Sequence, residues 1–235
     1  MLAPSHNGTC TLLIDADDTL WENNIYFERV IARFFEDFPG HSPAALRQTL
    51  DDVEREIVLS HGYGLIAFEE ALVETAERLT GARPSPEREA EMRQLARSVN
   101  EHPMQLLPGV PETLAYLAAR HSLILMSKGD PVEQSAKLER SGLGHHFAAV
   151  EIVPEKDEAV YRDTLARHHL APSSTWMIGN SPKSDVNPAL AAGLNAVFVP
   201  HDMTWVLEHE HVLPPEAEPP RLLVLERFEE LKHHF

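Results

Sequence analysis

Three carboxylates stand within four positions, directly after an apolar stretch near the start of the chain: Asp15, Asp17 and Asp18. Asp15 and Asp17 are two residues apart at the end of a predicted strand, so both can face one cavity. There they can bind a hard cation through oxygen and divide the work of nucleophile and general acid. An acidic turn or a helix N-terminus, where aspartate accepts hydrogen bonds from free backbone amides, is the alternative.

Further polar residues follow other predicted strands. Ser127 ends the second strand, Lys156 stands between the third strand and a helix, and Asn180 and Asp185 lie in the loop after the fourth. Any one of them, taken singly, is more often a solvated surface group. Their order along the chain, each after a strand, favours one shared constellation.

Six short apolar runs predict the buried strands of a parallel sheet. They are Thr11–Asp15, Ser122–Ser127, Ala148–Val153, Thr175–Gly179, Ala196–Val199 and Leu222–Leu225. Amphipathic segments lie between most of them, at Val110–Arg120, Pro131–Arg140, Asp157–His169 and Val186–Ala192. Strands that alternate with helices predict an α/β fold with a doubly wound parallel sheet. In such sheets the chemistry collects at the carboxyl ends of the strands.

One interval breaks this alternation. Residues 22–105 contain helical periodicity and no strand-like run, which predicts an inserted helical cap domain, with 1–21 and 106–235 forming the core. The predicted cap helices are an apolar face over 25–38, a helix that begins at Ser42-Pro43, Phe68–Leu79 ended by Gly81, and Pro86–Asn100. Between two of them, Gly62-Tyr63-Gly64 is either a plain turn or a flexible loop that helps to select the substrate.

Composition narrows the class of protein. A formal charge of −17 argues against nucleic acid as a partner. The single cysteine, Cys10, fits a reducing compartment, and no apolar run is long enough for a signal peptide or a membrane span. We therefore expect a soluble, cytoplasmic protein, either a monomer or a homodimer. The adjacent histidine pairs do not share a helix face and form no closed zinc ligand set.

Taken together, these motifs resemble those of the haloacid dehalogenase superfamily, over Asp15 to Asp185. The resemblance implies a Rossmannoid core with an α-helical cap, and a Mg²⁺-dependent phosphatase that acts on a small phosphorylated metabolite through an aspartyl-phosphate. It implies that Asp15 is the nucleophile and Asp17 the general acid and base. Ser127 would hold a phosphoryl oxygen, and Lys156 would offset the negative charge. Mg²⁺ would be bound by Asp15, Asp185 and the backbone carbonyl of Asp17.

Two positions depart from the family pattern. Asp18 stands where glycine is common, and Asn180 stands where an aspartate is common. Asn180 is a further candidate ligand of the predicted metal site. Because asparagine is neutral, that site has one formal negative charge fewer than the family pattern would give it. A phosphomutase would use the same residues. A 2-haloacid dehalogenase would share the nucleophile but need neither Mg²⁺ nor an acid at Asp17. A catalytically silent binding or regulatory module is the alternative from another class of protein.

Overall fold

The computed structural model describes residues 8–215 and 220–235. The chain divides into two compact units. The first unit runs up to Glu22 and resumes at Met104, and the second is Asn23–Pro103. The motif residues all belong to the first unit.

Within the described residues, the first unit contains one six-stranded sheet in which every pair of neighbouring strands is parallel. The strands are β1 (Thr11–Ile14), β2 (Ser122–Lys128), β3 (Ala149–Val153), β4 (Thr175–Gly179), β5 (Asn195–Phe198) and β6 (Leu222–Val224). Their order across the sheet is β3-β2-β1-β4-β5-β6. Each predicted strand is confirmed to within one residue at either end, and so is the predicted α/β class.

The described part of the chain contains eight α-helices, of which α1 to α4 lie in the second unit. They are α1 (Asn24–Phe35), α2 (Pro43–His61), α3 (Leu65–Thr80), α4 (Pro86–Arg97), α5 (Val110–Ala118), α6 (Pro131–Ser141), α7 (Glu158–Arg167) and α8 (Asn187–Ala191). None of the helices in these described ranges combines the length and the apolar character needed to cross a membrane.

The sheet is buried on both faces because alternate residues of each strand enter different clusters. In β1, Leu12 and Ile14 pack in the cluster that contains Leu114 and Leu117 of α5. Leu13, between them, packs in a second cluster with residues of α7 and α8. Both faces of β1 are therefore covered, and its carboxyl end is the part left to carry polar groups.

The second unit has its own apolar core, built by α1 to α4. Ser42 caps α2, since its hydroxyl accepts a hydrogen bond from the Ala45 amide at 3.2 Å. Gly81 ends α3 in the left-handed conformation (φ 75°) that glycine adopts at low cost. The helix start at Ser42 and the helix end at Gly81 agree with the sequence prediction.

Candidate active site

The predicted site residues of the first unit lie at the carboxyl ends of its strands. Asp15 directly follows β1, and Ser127 is the next-to-last residue of β2. Lys156 comes three residues after β3, Asn180 directly follows β4, and Asp185 lies in the short helical turn after it. Because β1 lies between β2 and β4, these ends adjoin one another. Parallel pairing therefore brings together residues that are far apart in the sequence.

Lys156 joins two carboxylates. Its Nζ donates to Oδ1 of Asp15 at 2.5 Å and to Oδ1 of Asp185 at 2.8 Å. The second oxygen of each carboxylate is also held: Thr19 Oγ1 donates to Asp15 Oδ2 at 2.9 Å, and the Ser181 amide donates to Asp185 Oδ2 at 2.9 Å. With the Lys156 and Asp185 side chains only 2% and 1% exposed, this arrangement is fixed and nearly dry.

This cluster has an excess of negative charge. Burial alone would lower the pKa of Lys156, but the neighbouring Asp15 and Asp185 raise it, so the ammonium stays charged. Burial, together with Asp15, raises the pKa of Asp185 to about 7 against the opposing effect of Lys156. The single positive charge of Lys156 therefore cannot neutralise both buried carboxylates. Oxygen donors with uncompensated negative charge are the ligand set that a hard divalent cation such as Mg²⁺ prefers.

Asp17, the predicted general acid, is held by three side chains for which the sequence predicted no role. Its Oδ1 accepts from Trp21 Nε1 at 2.7 Å, and its Oδ2 accepts from Gln134 Nε2 at 3.0 Å and from Lys137 Nζ at 2.8 Å. Burial would raise the pKa of Asp17, but the charge and hydrogen bond of Lys137, with the Gln134 and Trp21 bonds, lower it. In this conformation the carboxylate is ionised.

The Asp18 backbone explains the first departure from the family pattern. Its φ is 58°, in the left-handed region that glycine adopts readily and that aspartate tolerates better than most residues. Its amide donates to the carbonyl of Trp21 at 2.8 Å, which closes the turn after β1. A glycine and an aspartate can both satisfy this turn.

Asn180, the second departure, is oriented by its neighbours. Thr204 Oγ1 donates its single proton to the carbonyl of His201 at 2.8 Å, so it accepts from Asn180 Nδ2 at 2.9 Å. The Asn180 amide oxygen consequently faces Thr19 Oγ1, 3.3 Å away, and that hydroxyl is nearer to Asp15. An amide serves both contacts, whereas a carboxylate has no proton for Thr204.

Gly179 allows Asp185 to pack tightly against the end of β4. A Cβ at position 179 would stand 2.2 Å from Asp185 Oδ2 and 2.4 Å from its Cγ, which is far inside van der Waals contact. Only glycine leaves the space that the Asp185 carboxylate occupies.

A different group of potential metal ligands lies beside this cluster. Asp18, Glu22 and His201 each offer one ligand atom, all within 4.8 Å of one another, in the part of the chain that the structure describes. The Met203 amide donates to His201 Nδ1 at 3.3 Å, and His201 Nε2 is 3.4 Å from Glu22 Oε2. Nδ1 of the ring therefore already accepts from a protein group, whereas the buried Glu22 Oε2 has no hydrogen-bond partner in the part of the chain that the structure describes.

Sequence reasoning missed the groups that hold the predicted residues in place. Thr19 stands inside the first motif, but no role was predicted for it. Gln134 and Lys137 lie in a helix that was predicted only as an amphipathic segment, and Thr204 and Glu208 lie in a loop without a motif. Their side chains reach the site through tertiary packing, which hydrophobic periodicity does not describe.

The fold and the polar edge define a class: a Rossmann-like α/β core with a parallel sheet, in which strand ends present an aspartate, a lysine and a second aspartate to one another. The family model for a haloacid dehalogenase-like hydrolase matches residues 11–193. The chain belongs to this family, and the resemblance seen in its motifs is confirmed.

Individual relatives agree with the family. A haloacid dehalogenase-like family hydrolase from Xanthomonas campestris shares 31% identity and a TM-score of 0.82, covering 97% of this chain and 92% of that one. Phosphoserine phosphatase from Thermus thermophilus is 35% identical over 52% of this chain and 51% of its own length. Glyceraldehyde 3-phosphate phosphatase from Methanothermobacter thermautotrophicus is 31% identical over 45% and 49%. The chain thus matches about half the length of these two curated relatives.

Proposed function

We propose that this protein is a Mg²⁺-dependent phosphatase that hydrolyses the phosphate ester of a small metabolite through a phosphorylated Asp15. The observation that carries the proposal is the buried arrangement of Asp15 and Asp185 around Lys156. The similarity of the chain to two proteins named as phosphatases supports the same reaction class.

The charges of the cluster suit an attack on an anionic substrate. A phosphate ester repels a carboxylate nucleophile, so positive charge must stand beside both. Lys156 supplies one such charge at 2.5 Å from Asp15. Mg²⁺, held by Asp15, Asp185 and the Asp17 carbonyl, would supply further positive charge to the phosphoryl oxygens. Ser127 would donate a hydrogen bond to one of these oxygens, and Asn180, whose amide oxygen lies 3.3 Å from Thr19 Oγ1, is a further candidate ligand.

The reaction then has two balanced steps. Asp15 attacks phosphorus, the bond from phosphorus to the ester oxygen breaks, and Asp17 gives a proton to the departing alkoxide. Water next attacks the phosphorus of the acyl phosphate, Asp17 takes a proton from that water, and inorganic phosphate leaves with Asp15 regenerated. Asp17 can serve both steps only if its carboxylate separates from Lys137 when the substrate binds.

The test is release of inorganic phosphate from an aryl phosphate with Mg²⁺, with Ca²⁺ and with excess chelator. We expect turnover with Mg²⁺, little with Ca²⁺, which prefers more ligands at longer distances, and none with chelator. Asp15→Asn should abolish turnover without changing the fold, because the amide is almost isosteric but cannot act as the nucleophile. Full activity in chelator, or activity of Asp15→Asn within tenfold of wild type, would contradict the proposal.

A panel of phosphorylated metabolites addresses the substrate. Release of phosphate into water, measured together with transfer to a second sugar phosphate, separates a phosphatase from a phosphomutase. Chloride release from 2-chloropropionate in chelator would instead indicate a dehalogenase. Absence of all three activities would favour a binding module.

A further inference from the structure

The loop that follows β5 contacts the polar segment after β4 at several points. We call residues 200–213 the β5 loop. Its Thr204 accepts from Asn180, and the carbonyl of its Leu207 accepts from Lys183 Nζ at 3.0 Å. These bonds tie a loop without any recognised motif to the segment that carries Asp185.

The most buried of these contacts belong to Glu208. Its Oε1 accepts from Lys128 Nζ at 2.6 Å, and its Oε2 accepts from Ser181 Oγ at 2.6 Å. Lys128 Nζ also donates to Ser184 Oγ at 2.8 Å. The Lys128 and Glu208 side chains are only 11% and 13% exposed, so solvent screens this pair weakly.

Each partner of Glu208 is linked to a predicted site residue, one through the chain and the other through a hydrogen bond. Lys128 is the residue after Ser127, and both lie at the end of β2. The amide of Ser181 donates to the Asp185 carboxylate at 2.9 Å. One carboxylate therefore connects the end of β2, which presents Ser127, with the turn that presents Asp185.

The ion pair is permanent at ordinary pH. Burial would raise the pKa of Glu208, but Lys128 and the two serine hydroxyls lower it to about 2. Burying an ion pair has a desolvation cost, and replacing such a pair with apolar residues is often neutral for stability. Stability alone is therefore a weak reason for this pair, whereas holding two catalytic segments in register is a specific one.

We propose that Glu208 is a positioning residue, which acts through Lys128 on Ser127 and through Ser181 on Asp185. The proposal rests on the proposed phosphatase function. Glu208 contacts neither phosphate nor metal in this role. It sets the spacing between the residue that would bind a phosphoryl oxygen and a residue that would bind Mg²⁺.

Three variants test the proposal. Glu208→Gln removes the charge and keeps the shape. The double variant Lys128→Met/Glu208→Met removes both charges and so leaves no buried cation uncompensated. Glu210→Gln is the matched control, because Glu210 lies in the same loop and accepts from Asn187 Nδ2 at 3.0 Å, but in an exposed position. Each variant is compared with wild type for kcat and KM on an aryl phosphate, for Mg²⁺ affinity by calorimetry, and for melting temperature.

We expect kcat to fall by about 10- to 100-fold in both Glu208 variants, with KM changed by less than about threefold, as for a geometric misplacement of catalytic groups. Mg²⁺ affinity should weaken in both, while Glu210→Gln stays within about twofold of wild type in every measurement. A role confined to stability predicts the opposite for the double variant: its melting temperature and its kcat should recover together.

A folded double variant with wild-type kcat would overturn the proposal, and this holds even if Glu208→Gln does not fold. If wild type releases no phosphate, the proposed function fails. The Mg²⁺ affinities measured by calorimetry still test whether Glu208 is a positioning residue. Equal Mg²⁺ affinities in wild type and the Glu208 variants would then refute positioning, as would a wild type that binds no Mg²⁺.

Discussion

Asp17 shows most directly how a resting contact constrains chemistry. A general acid must carry a proton when the leaving group departs. The ion pair with Lys137, at 2.8 Å, and the hydrogen bonds from Gln134 and Trp21 favour the ionised form instead and lower the pKa of Asp17. We infer that binding of the substrate has to release the carboxylate from Lys137, because the arrangement as it stands suits a base and not an acid.

The first prediction concerns this carboxylate. Asp17→Asn should slow turnover of an alkyl phosphate by about 10²–10⁴-fold, the usual range for loss of general acid–base catalysis. The loss should be smaller for an aryl phosphate, because a phenolate leaves without much help from a proton. Rates for the two substrates, with wild type and variant side by side, give the comparison.

Asp18→Asn is the control for that prediction. Asparagine is well tolerated at a positive φ, so this variant changes the charge of the adjacent residue without disturbing the turn. Its rates should stay within a few-fold of wild type. An equal loss for alkyl and aryl phosphates in Asp17→Asn would count against the acid role.

The second prediction concerns Asn180. Asn180→Asp adds a negative charge at a position that the sequence predicts to be near the metal. At the effective dielectric of a partly solvated site, this charge should strengthen Mg²⁺ binding by about 1 kcal/mol, which is several-fold in affinity. The same change removes the donor to Thr204, which should lower the free energy of unfolding by about 1 kcal/mol.

Two measurements separate these effects of Asn180→Asp. Calorimetric titration with Mg²⁺ at fixed ionic strength reports the metal affinity, and urea denaturation in chelator reports the stability. Thr204→Val, which loses the same hydrogen bond and the one to the His201 carbonyl without adding charge, is the control and sets an upper limit on the stability effect. Unchanged or weaker Mg²⁺ binding in Asn180→Asp would mean that residue 180 does not face the metal.

At the scale of residues, the sequence predicts which residues form the site better than it predicts which side chains they contact. Asp15, Lys156 and Asp185 are predictable from the sequence because each follows a buried strand, and parallel pairing brings them into contact. The contacts of Asp17 with Lys137 and of Lys128 with Glu208 were not foreseen. They depend on where long side chains point across 80 or more residues of sequence, and no local pattern specifies that direction.

At the scale of elements, the strands were predictable because parallel strands buried on both faces are continuous apolar runs. The segment after β4 was not. The sequence predicted a helix over Val186–Ala192, whereas the chain first forms a π-helical turn at Pro182–Val186 and only then enters α8. Ser181 caps this turn by accepting from the Ser184 amide at 2.9 Å. That turn determines where Asp185 lies.

The third prediction tests this turn through the end of β4. Gly179→Ala would force Asp185 to move, because the added methyl group overlaps its carboxylate. We expect a loss of kcat of about 100-fold or more and a loss of stability of about 1–3 kcal/mol. Gly144→Ala is the control: its Cβ would have its nearest contact with Leu138 at 3.7 Å, and stability should hardly change. Wild-type kcat in Gly179→Ala would show that the Asp185 position is not needed.

At the scale of the whole molecule, the acidic character of the chain makes its stability depend on how carboxylates are paired. The formal charge is −17, and self-repulsion of that size favours unfolding. Carboxylates whose pKa is lowered in the folded state oppose this effect at neutral pH. Among them Glu208 has the pKa of about 2 that its pairing with Lys128 produces in a buried position.

The fourth prediction is the acid dependence that follows from Glu208. Its pKa is about 2 in the folded protein and near its ordinary value of 4.5 when unfolded, so the unfolded state binds the proton more tightly. The stabilisation is therefore fully present above about pH 5 and is lost as the pH falls toward 2. It amounts to about 3 kcal/mol at pH 7 and less than about half of that at pH 3.

Glutamine at position 208 does not titrate, so the difference in unfolding free energy between wild type and Glu208→Gln should narrow by about 2 kcal/mol between pH 7 and pH 3. Urea denaturation of both proteins at the two pH values, in chelator, measures this difference. The contributions of the other carboxylates to the pH dependence are the same in both proteins and cancel. A difference that stays constant with pH would mean that Glu208 is not held as an ion pair with Lys128 in the folded protein.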